Sequence, residues 1–186
     1  MRILAVSSGE KSADSICSLV RECGENDVTP CTSASAARRL LLDEAWDIAI
    51  INYPLSDESG MELGSMISNE TSTATIMLIK DELISSAAEA EDAGLIVVGK
   101  PIVRPVFRQA LHLAFSFRRK IAGKEERIRK LEMKIDELKA VDKAKCILVG
   151  KKGLSEDEAH RYILKLAMDK RISAKDAAFI VLRENR

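Results

Sequence analysis

The residues of this chain with the plainest capacity for chemistry are cations. Lys145, Lys151, Lys152, Arg161, Lys165, Lys170, Arg171 and Lys175 gather near the C-terminus. Ammonium and guanidinium groups hold phosphates by charge and hydrogen bonding, so such a set suits a polyanion and gives salt-dependent affinity. Arg161 and Lys165 stand four apart, opposite Ile163 and Leu166 on a helical repeat. Tyr162, His160 and the Arg161 guanidinium offer flat surfaces on which unpaired bases stack. The competing reading is solvated surface charge for any one lysine, and burial against a neighbouring helix for Tyr162 and His160.

The charge balance points the same way. Net charge is zero over 186 residues, yet residues 1–100 carry 7 Lys+Arg against 17 Asp+Glu, and residues 101–186 carry 22 against 12. A basic half beside an acidic one implies a polyanionic partner, or else halves that neutralise one another or a partner protein. With 46% hydrophobic and 31% charged residues the chain is expected to be globular. No apolar run approaches a membrane span, and the N-terminal Met-Arg-Ile-Leu-Ala-Val leads directly into a strand pattern, so no membrane, no signal peptide and a cytoplasmic location are expected. Cys17, Cys23, Cys31 and Cys146 form no C-x-x-C pair, so reduced thiols are expected, with no metal site and no cofactor.

The cations must be positioned by what precedes them. Residues 105–149 read as one helix, with Pro105 placed for its first turn. Phe107, Leu111, Ala114 and Phe117 are spaced to pack back on a sheet. Ile121, Ile128 and Ile135 then recur every seven residues with Leu131 and Leu138 offset by three. Isoleucine at a and leucine at d favour a parallel two-stranded coil, hence a homodimer. Lys124 interrupts one d position, Gly123 weakens the helix locally, and an amphipathic helix lying on its own chain is the alternative. After Leu138 the register fails: Asp142 and Lys145 fall at a and d, and apolar character moves to Val141, Ala144, Ile147 and Leu148. Residues 150–153 read as a turn, Ser155 to Glu158 as a capping box, and Ser173 to Asp176 as a second cap. The stripes Ala159, Ile163, Leu166, Ala167 and Ala177, Ile180, Val181 complete a head of three helices.

Residues 1–100 alternate short apolar runs (3–6, 28–31, 47–52, 75–79, 95–98) with helical patterns (12–23, 33–42, 61–68, 83–93). That alternation implies a flavodoxin-like, doubly wound five-stranded parallel sheet, functional at the carboxyl ends of its strands. The fold class is therefore α/β, followed by a long coiled-coil helix and a small three-helix head. The expected domains are 1–118, a coiled-coil dimerisation helix over 119–140, and a head over 141–186.

The loop Asn52-Tyr-Pro-Leu-Ser-Asp-Glu-Ser-Gly-Met-Glu-Leu63, with Lys100-Pro101 after the fifth strand, resembles the response-regulator receiver family. That resemblance implies an aspartate phosphoacceptor, two acidic residues helping to hold Mg²⁺, and a switch Ser or Thr. Here Asn52 stands at the phosphoacceptor position, Ser7 and Ser8 at the acidic pair, and Ile79 (or Lys80, one residue on) at the switch position; only Lys100 is kept. An amide is neither an anionic nucleophile nor a charged ligand. A degenerate, unphosphorylated receiver without Mg²⁺ is expected. Rescue by Asp47, Asp57 or Glu58 is not: Asp47 lies at the wrong end of its strand and the other two lie beyond the loop.

The C-terminal part resembles the ANTAR family of RNA-binding modules from transcription antitermination regulators. Ala144 to Leu148, Gly153 to Ala159, Leu166 to Asp169, Ser173 and Ala177 carry the match over about 125–182, with Cys146 in place of a usual glycine and Val149 of a methionine. The resemblance implies a non-enzymatic antiterminator that binds paired hairpins in leader RNA and prevents a terminator from forming. It also implies control of a phosphate-blind receiver by a partner protein that senses a small molecule. Lys145, which the match carries, and Arg161 rank first as RNA contacts. The alternatives are a DNA-binding regulator of response-regulator type, and a protein-interaction module whose basic half docks an acidic partner; a clear helix-turn-helix spacing is missing from the head.

Overall fold

The computed structural model describes residues 1–184, the side chains of 81 and 84–87 excepted, so residues 185–186 of the expected head lie outside the described residues. The chain separates into two compact units, residues 1–123 and 124–186.

In the first unit, strands β1 (Ile3–Val6), β2 (Val28–Cys31), β3 (Ile48–Asn52), β4 (Ala74–Lys80) and β5 (Ile96–Lys100) form one sheet in the order β2-β1-β3-β4-β5. All four pairings are parallel, with Ile3 beside both Val28 and Ile48, and Lys80 beside Lys100. Helices α1 (Glu10–Glu22), α2 (Ala34–Asp43), α3 (Met61–Glu70) and α4 (Ile84–Asp92) connect the strands, and α5 begins at Arg104. Side chains alternate across a strand, so the apolar runs supply two cores. Ile3, Ala5, Ile48, Ile50, Ile76 and Leu78 meet α1 and α5 through Ile16, Val20, Phe107, Leu111 and Ala114. Leu4, Val6, Ala49, Ile51, Met77 and Ile79 meet the other helices through Ala37, Leu63, Ile67 and Ala90. The result is the doubly wound α/β sheet read from the sequence. Gly64 on α3 is required by close packing, because a Cβ there would lie 2.7 Å from Leu95 Cδ1 and 3.0 Å from Met77 Cε.

Helix α5 spans Arg104–Lys152, 49 residues. It is longer than the sequence indicated. Gly150 lies inside it rather than in a turn, and the chain leaves the helix at Gly153, whose φ of +65° suits glycine. Neither Gly123 nor Gly150 meets an atom that a Cβ would strike, so both are tolerated at a cost in backbone entropy only. Phe117 differs from expectation too: Ala110, not Phe117, joins Phe107, Leu111 and Ala114 in the core, and Phe117 remains 46% exposed.

In the second unit, α6 (Glu156–Lys170) and α7 (Ala174–Glu184) pack with the last turns of α5. Their core is Ala140, Val141, Ala144, Leu148, Ala159, Ile163, Ala167, Ala177, Ala178 and Val181. After Leu138 the apolar positions of α5 face α6 and α7: Val141, Ala144 and Leu148 join this core as spaced, with Ala140 in place of Ile147. The Ser155 and Glu158 capping box forms as spaced, and Ser173 Oγ accepts from the Asp176 amide at 3.0 Å.

Candidate nucleic-acid interface and the sheet-edge site

At the carboxyl edge of the sheet, the residues of the expected degenerate site come together as a neutral hydrogen-bond chain. Asn52 Nδ2 donates to Ser7 Oγ at 2.8 Å, and Ser7 Oγ lies 2.6 Å from Ser12 Oγ. Ser7 is fully buried and Ser8 exposed. Ile79 is buried with Leu63 and Met77 and offers no hydroxyl. Lys100 Nζ donates to the Tyr53 carbonyl at 2.8 Å instead of reaching Asn52. Burial, and then the Lys80 charge, push the Lys100 ammonium below its ordinary pKa. Ser12, which completes the chain, had no signal in the sequence beyond its hydroxyl.

The acids that stood as conceivable substitutes are engaged elsewhere. Asp57 accepts from the Ala34 and Ser35 amides, both at 3.0 Å, and these bonds hold its carboxyl down at about 2. Glu58 takes a two-point ion pair from Arg38, at 2.6 and 3.2 Å, and the Leu63 amide at 3.1 Å. Asp47 accepts from the Arg2 amide at 3.0 Å and lies 3.5 Å from Arg118 Nε. A Mg²⁺ ion of the kind receivers use does not fit Ser7, Ser8, Asn52 and Lys100: they supply hydroxyls, an amide and a cation where a hard dication seeks carboxylate oxygens.

In the second unit the basic residues fall into two groups. Arg161, Lys165, Lys170 and Arg171 are exposed on α6 and at its C-cap, where Arg171 adopts a left-handed φ of 53°. Glu156, Asp157 and Glu158 occupy the first turn of the same helix. Helix α6 thus runs from an acidic start to a basic end, complementing its own dipole. Its N-terminus is closed to phosphate, and its C-terminal half and outer face carry the cations. Lys152 Nζ sits over the Tyr162 ring, 5.0 Å from the centroid, and Tyr162 is 39% exposed. Lys151 is exposed in the last turn of α5.

Lys145 is placed differently. Its side chain is 17% exposed, and Nζ lies 2.8 Å from Glu156 and 2.9 Å from Asp142. Glu156 first and Asp142 second push its pKa up, and the two carboxylates already compensate its charge. The pair lies on a groove of about 670 Å³ lined also by Cys146, Val149 and Leu154. Lys175 likewise approaches Asp136 at 3.6 Å. Phe179, 50% exposed on α7, escaped the sequence reading because it falls outside every apolar stripe.

The seam residues Ile121, Ile128, Leu131, Ile135 and Leu138 are 39%, 56%, 57%, 49% and 53% exposed along α5. Among the described residues no helix is long and apolar enough to cross a membrane.

Comparison with known proteins agrees with this geometry. The ANTAR domain family matches residues 129–182, which hold the three-helix core and its cations. The transcriptional regulatory protein PdtaR of Mycobacterium tuberculosis is 28% identical over 137 residues, which is 73% of this chain and 67% of that protein. A response regulator receiver domain protein from Clostridium thermocellum superposes with a TM-score of 0.59 at 22% identity, over 65% of this chain and 98% of its own. A structure titled adenylate cyclase, from Rhodopirellula baltica, gives a TM-score of 0.62 at 20% identity, over 69% of this chain and 97% of its own. At such identities these two likenesses speak for fold alone. The segment 129–182, on the three-helix core, thus matches the ANTAR domain family, and the N-terminal sheet unit has the receiver fold.

Proposed function

We propose that this protein is a non-enzymatic transcription antiterminator that binds paired hairpins in leader RNA as a homodimer and so prevents a terminator from forming. The observation that carries the proposal is the ANTAR match over 129–182, on a unit whose outer cations include Arg161, Lys165, Lys170 and Arg171. The name of the mycobacterial relative, a transcriptional regulator, supports the same reading. Dimerisation runs through Ile121, Ile128, Leu131, Ile135 and Leu138, whose side chains a second copy would cover. Two heads per dimer make two hairpins the natural target.

The RNA contacts assigned here are Arg161, Lys165, Lys170, Arg171, Lys151 and Lys152, with Tyr162 stacking on a base. Lys145 joins them only by exchanging Glu156 or Asp142 for phosphate. The receiver domain is not phosphorylated, because Asn52, Ser7 and Ser8 lack the nucleophile and the charged ligands. Its control comes from a partner protein, and a ligand-sensing one fits.

A salt-titrated binding assay tests this reading against a DNA-binding regulator. The full chain is compared on a two-hairpin RNA and on duplex DNA of equal length. Tighter binding to the RNA is expected, with log K falling steeply as log salt rises. Tighter binding to the duplex would sink it.

A further inference from the structure

We propose that the outer ridge of α7, Lys175, Phe179 and Arg183, is a base-stacking site for an unpaired nucleobase of the bound RNA. The proposal rests on the RNA reading above and adds to it a surface that neither the family match nor the α6 cations assign.

Three observations carry it. First, the second unit uses its apolar side chains against their size. Six of its ten core residues are alanine, whereas both of its aromatics, Tyr162 and Phe179, are 39% and 50% exposed. A ring in place of one of those alanines would bury far more apolar area, so a large ring held at the surface is informative. Second, both rings have cations in their vicinity. Lys152 sits over Tyr162, and Lys175 and Arg183 stand four residues before and after Phe179 on α7, away from the buried Ala177, Ala178 and Val181. Third, the acidic neighbour on that helix is occupied: Asp176 accepts from Ser173 Oγ at 2.7 Å in the helix cap. Lys175 Nζ lies 3.6 Å from Asp136, and among the described residues no carboxylate pairs with Arg183.

An exposed ring flanked by cations is the arrangement by which proteins take single-stranded nucleic acid: charge tracks the backbone and the ring accepts a base face. Phenylalanine has no donor or acceptor, so the site selects an unpaired base without selecting which base. Inside an RNA duplex each base face is covered by its stacked neighbours, so the ridge separates loop from stem.

The test uses the full chain and two probes, an RNA hairpin with 2-aminopurine in its unpaired loop and the same stem as a blunt duplex. Phe179→Ala should weaken the hairpin complex by about tenfold or more and abolish the fluorescence change on binding. Its salt slope and its binding to the blunt duplex should stay as in the wild type. Phe179→Trp should restore both losses, and Arg183→Ala should lower the salt slope by about one. Equal hairpin affinity and an equal fluorescence change for Phe179→Ala would overturn the proposal. So would a shift of that variant from dimer to monomer in sedimentation, which would give Phe179 to a contact between copies. Failure of the wild type to bind the hairpin at all would instead remove the RNA reading, and the ridge with it.

Discussion

Positions 7, 8 and 52 together decide what the sheet edge can do. An aspartate at position 52 would be a nucleophile and a ligand; the asparagine donates to Ser7 and completes a neutral chain to Ser12. Full-length protein incubated with labelled acetyl phosphate and Mg²⁺ should therefore stay unlabelled. Asn52→Asp alone should stay unlabelled too, since Ser7 and Ser8 still supply no charge to the ion; an acid-stable, base-labile acyl phosphate on either protein would refute this. Asp57 shows how an acid near a familiar motif can serve structure. Its carboxyl is held at about 2, below the 3.8 of the unfolded chain, by the α2 amides. A depressed folded value means that the stabilisation is complete above pH 3.8 and is lost as pH falls from there through about 2. Asp57→Asn should lower the thermal midpoint at pH 7 and flatten the fall in stability over that acid window, as followed by circular dichroism. Residue types at positions 7, 8 and 52 were legible because the chemistry they lack is a property of the side chain alone. The pairing of Lys145 was not legible. Glu156 is eleven residues away, and only the end of α5 at Lys152 and the left-handed Gly153 bring the two together. Lys145→Ala should accordingly leave the salt slope of RNA binding nearly unchanged, whereas Lys165→Ala should reduce it by about one.

At the scale of elements, helix α5 carries two kinds of apolar face. Up to Ala114 its buried residues serve the sheet, and from Ala140 they serve the second unit. Between these lie the five exposed seam positions. Periodicity alone located the faces, because a change of packing partner appears as a change of phase. It could not locate the end of the helix, because a glycine such as Gly150 costs about 1 kcal/mol in a helix and does not by itself break one. Nor could it tell that Ala110 rather than Phe117 would be buried, a choice made by the helix's rotation against the sheet. Replacing Ile128 and Leu131 together with alanine should convert a dimer to a monomer in sedimentation while the far-ultraviolet dichroism of the sheet domain persists. Ile163→Ala, by opening a cavity among Ala159, Ala167 and Val181, should cost the second unit about 2–5 kcal/mol in denaturant melts. Gly64→Ala should cost the sheet domain about 1–3 kcal/mol, because its methyl would press on Leu95 and Met77.

For the whole molecule, the sequence shows an acidic front and a basic rear, 7 Lys+Arg against 17 Asp+Glu and then 22 against 12. Several of the rear's cations turn out to be engaged in intramolecular pairs, among them Lys145 with Asp142 and Glu156, and Lys130 with Glu126. Gross charge was legible, whereas its available fraction depends on three-dimensional pairing. Under the proposed function, the remaining cations serve RNA and the Asn52, Ser7 and Ser8 set needs no phosphoryl donor. The most direct test is transcription in vitro from a template encoding two hairpins upstream of an intrinsic terminator, with purified full-length protein added. Read-through should rise in proportion to dimer, independent of acetyl phosphate, and be lost when either hairpin loop is replaced or when Arg161 and Lys165 are changed to alanine. Unchanged read-through at saturating protein, or read-through that appears only with acetyl phosphate, would contradict the proposed function.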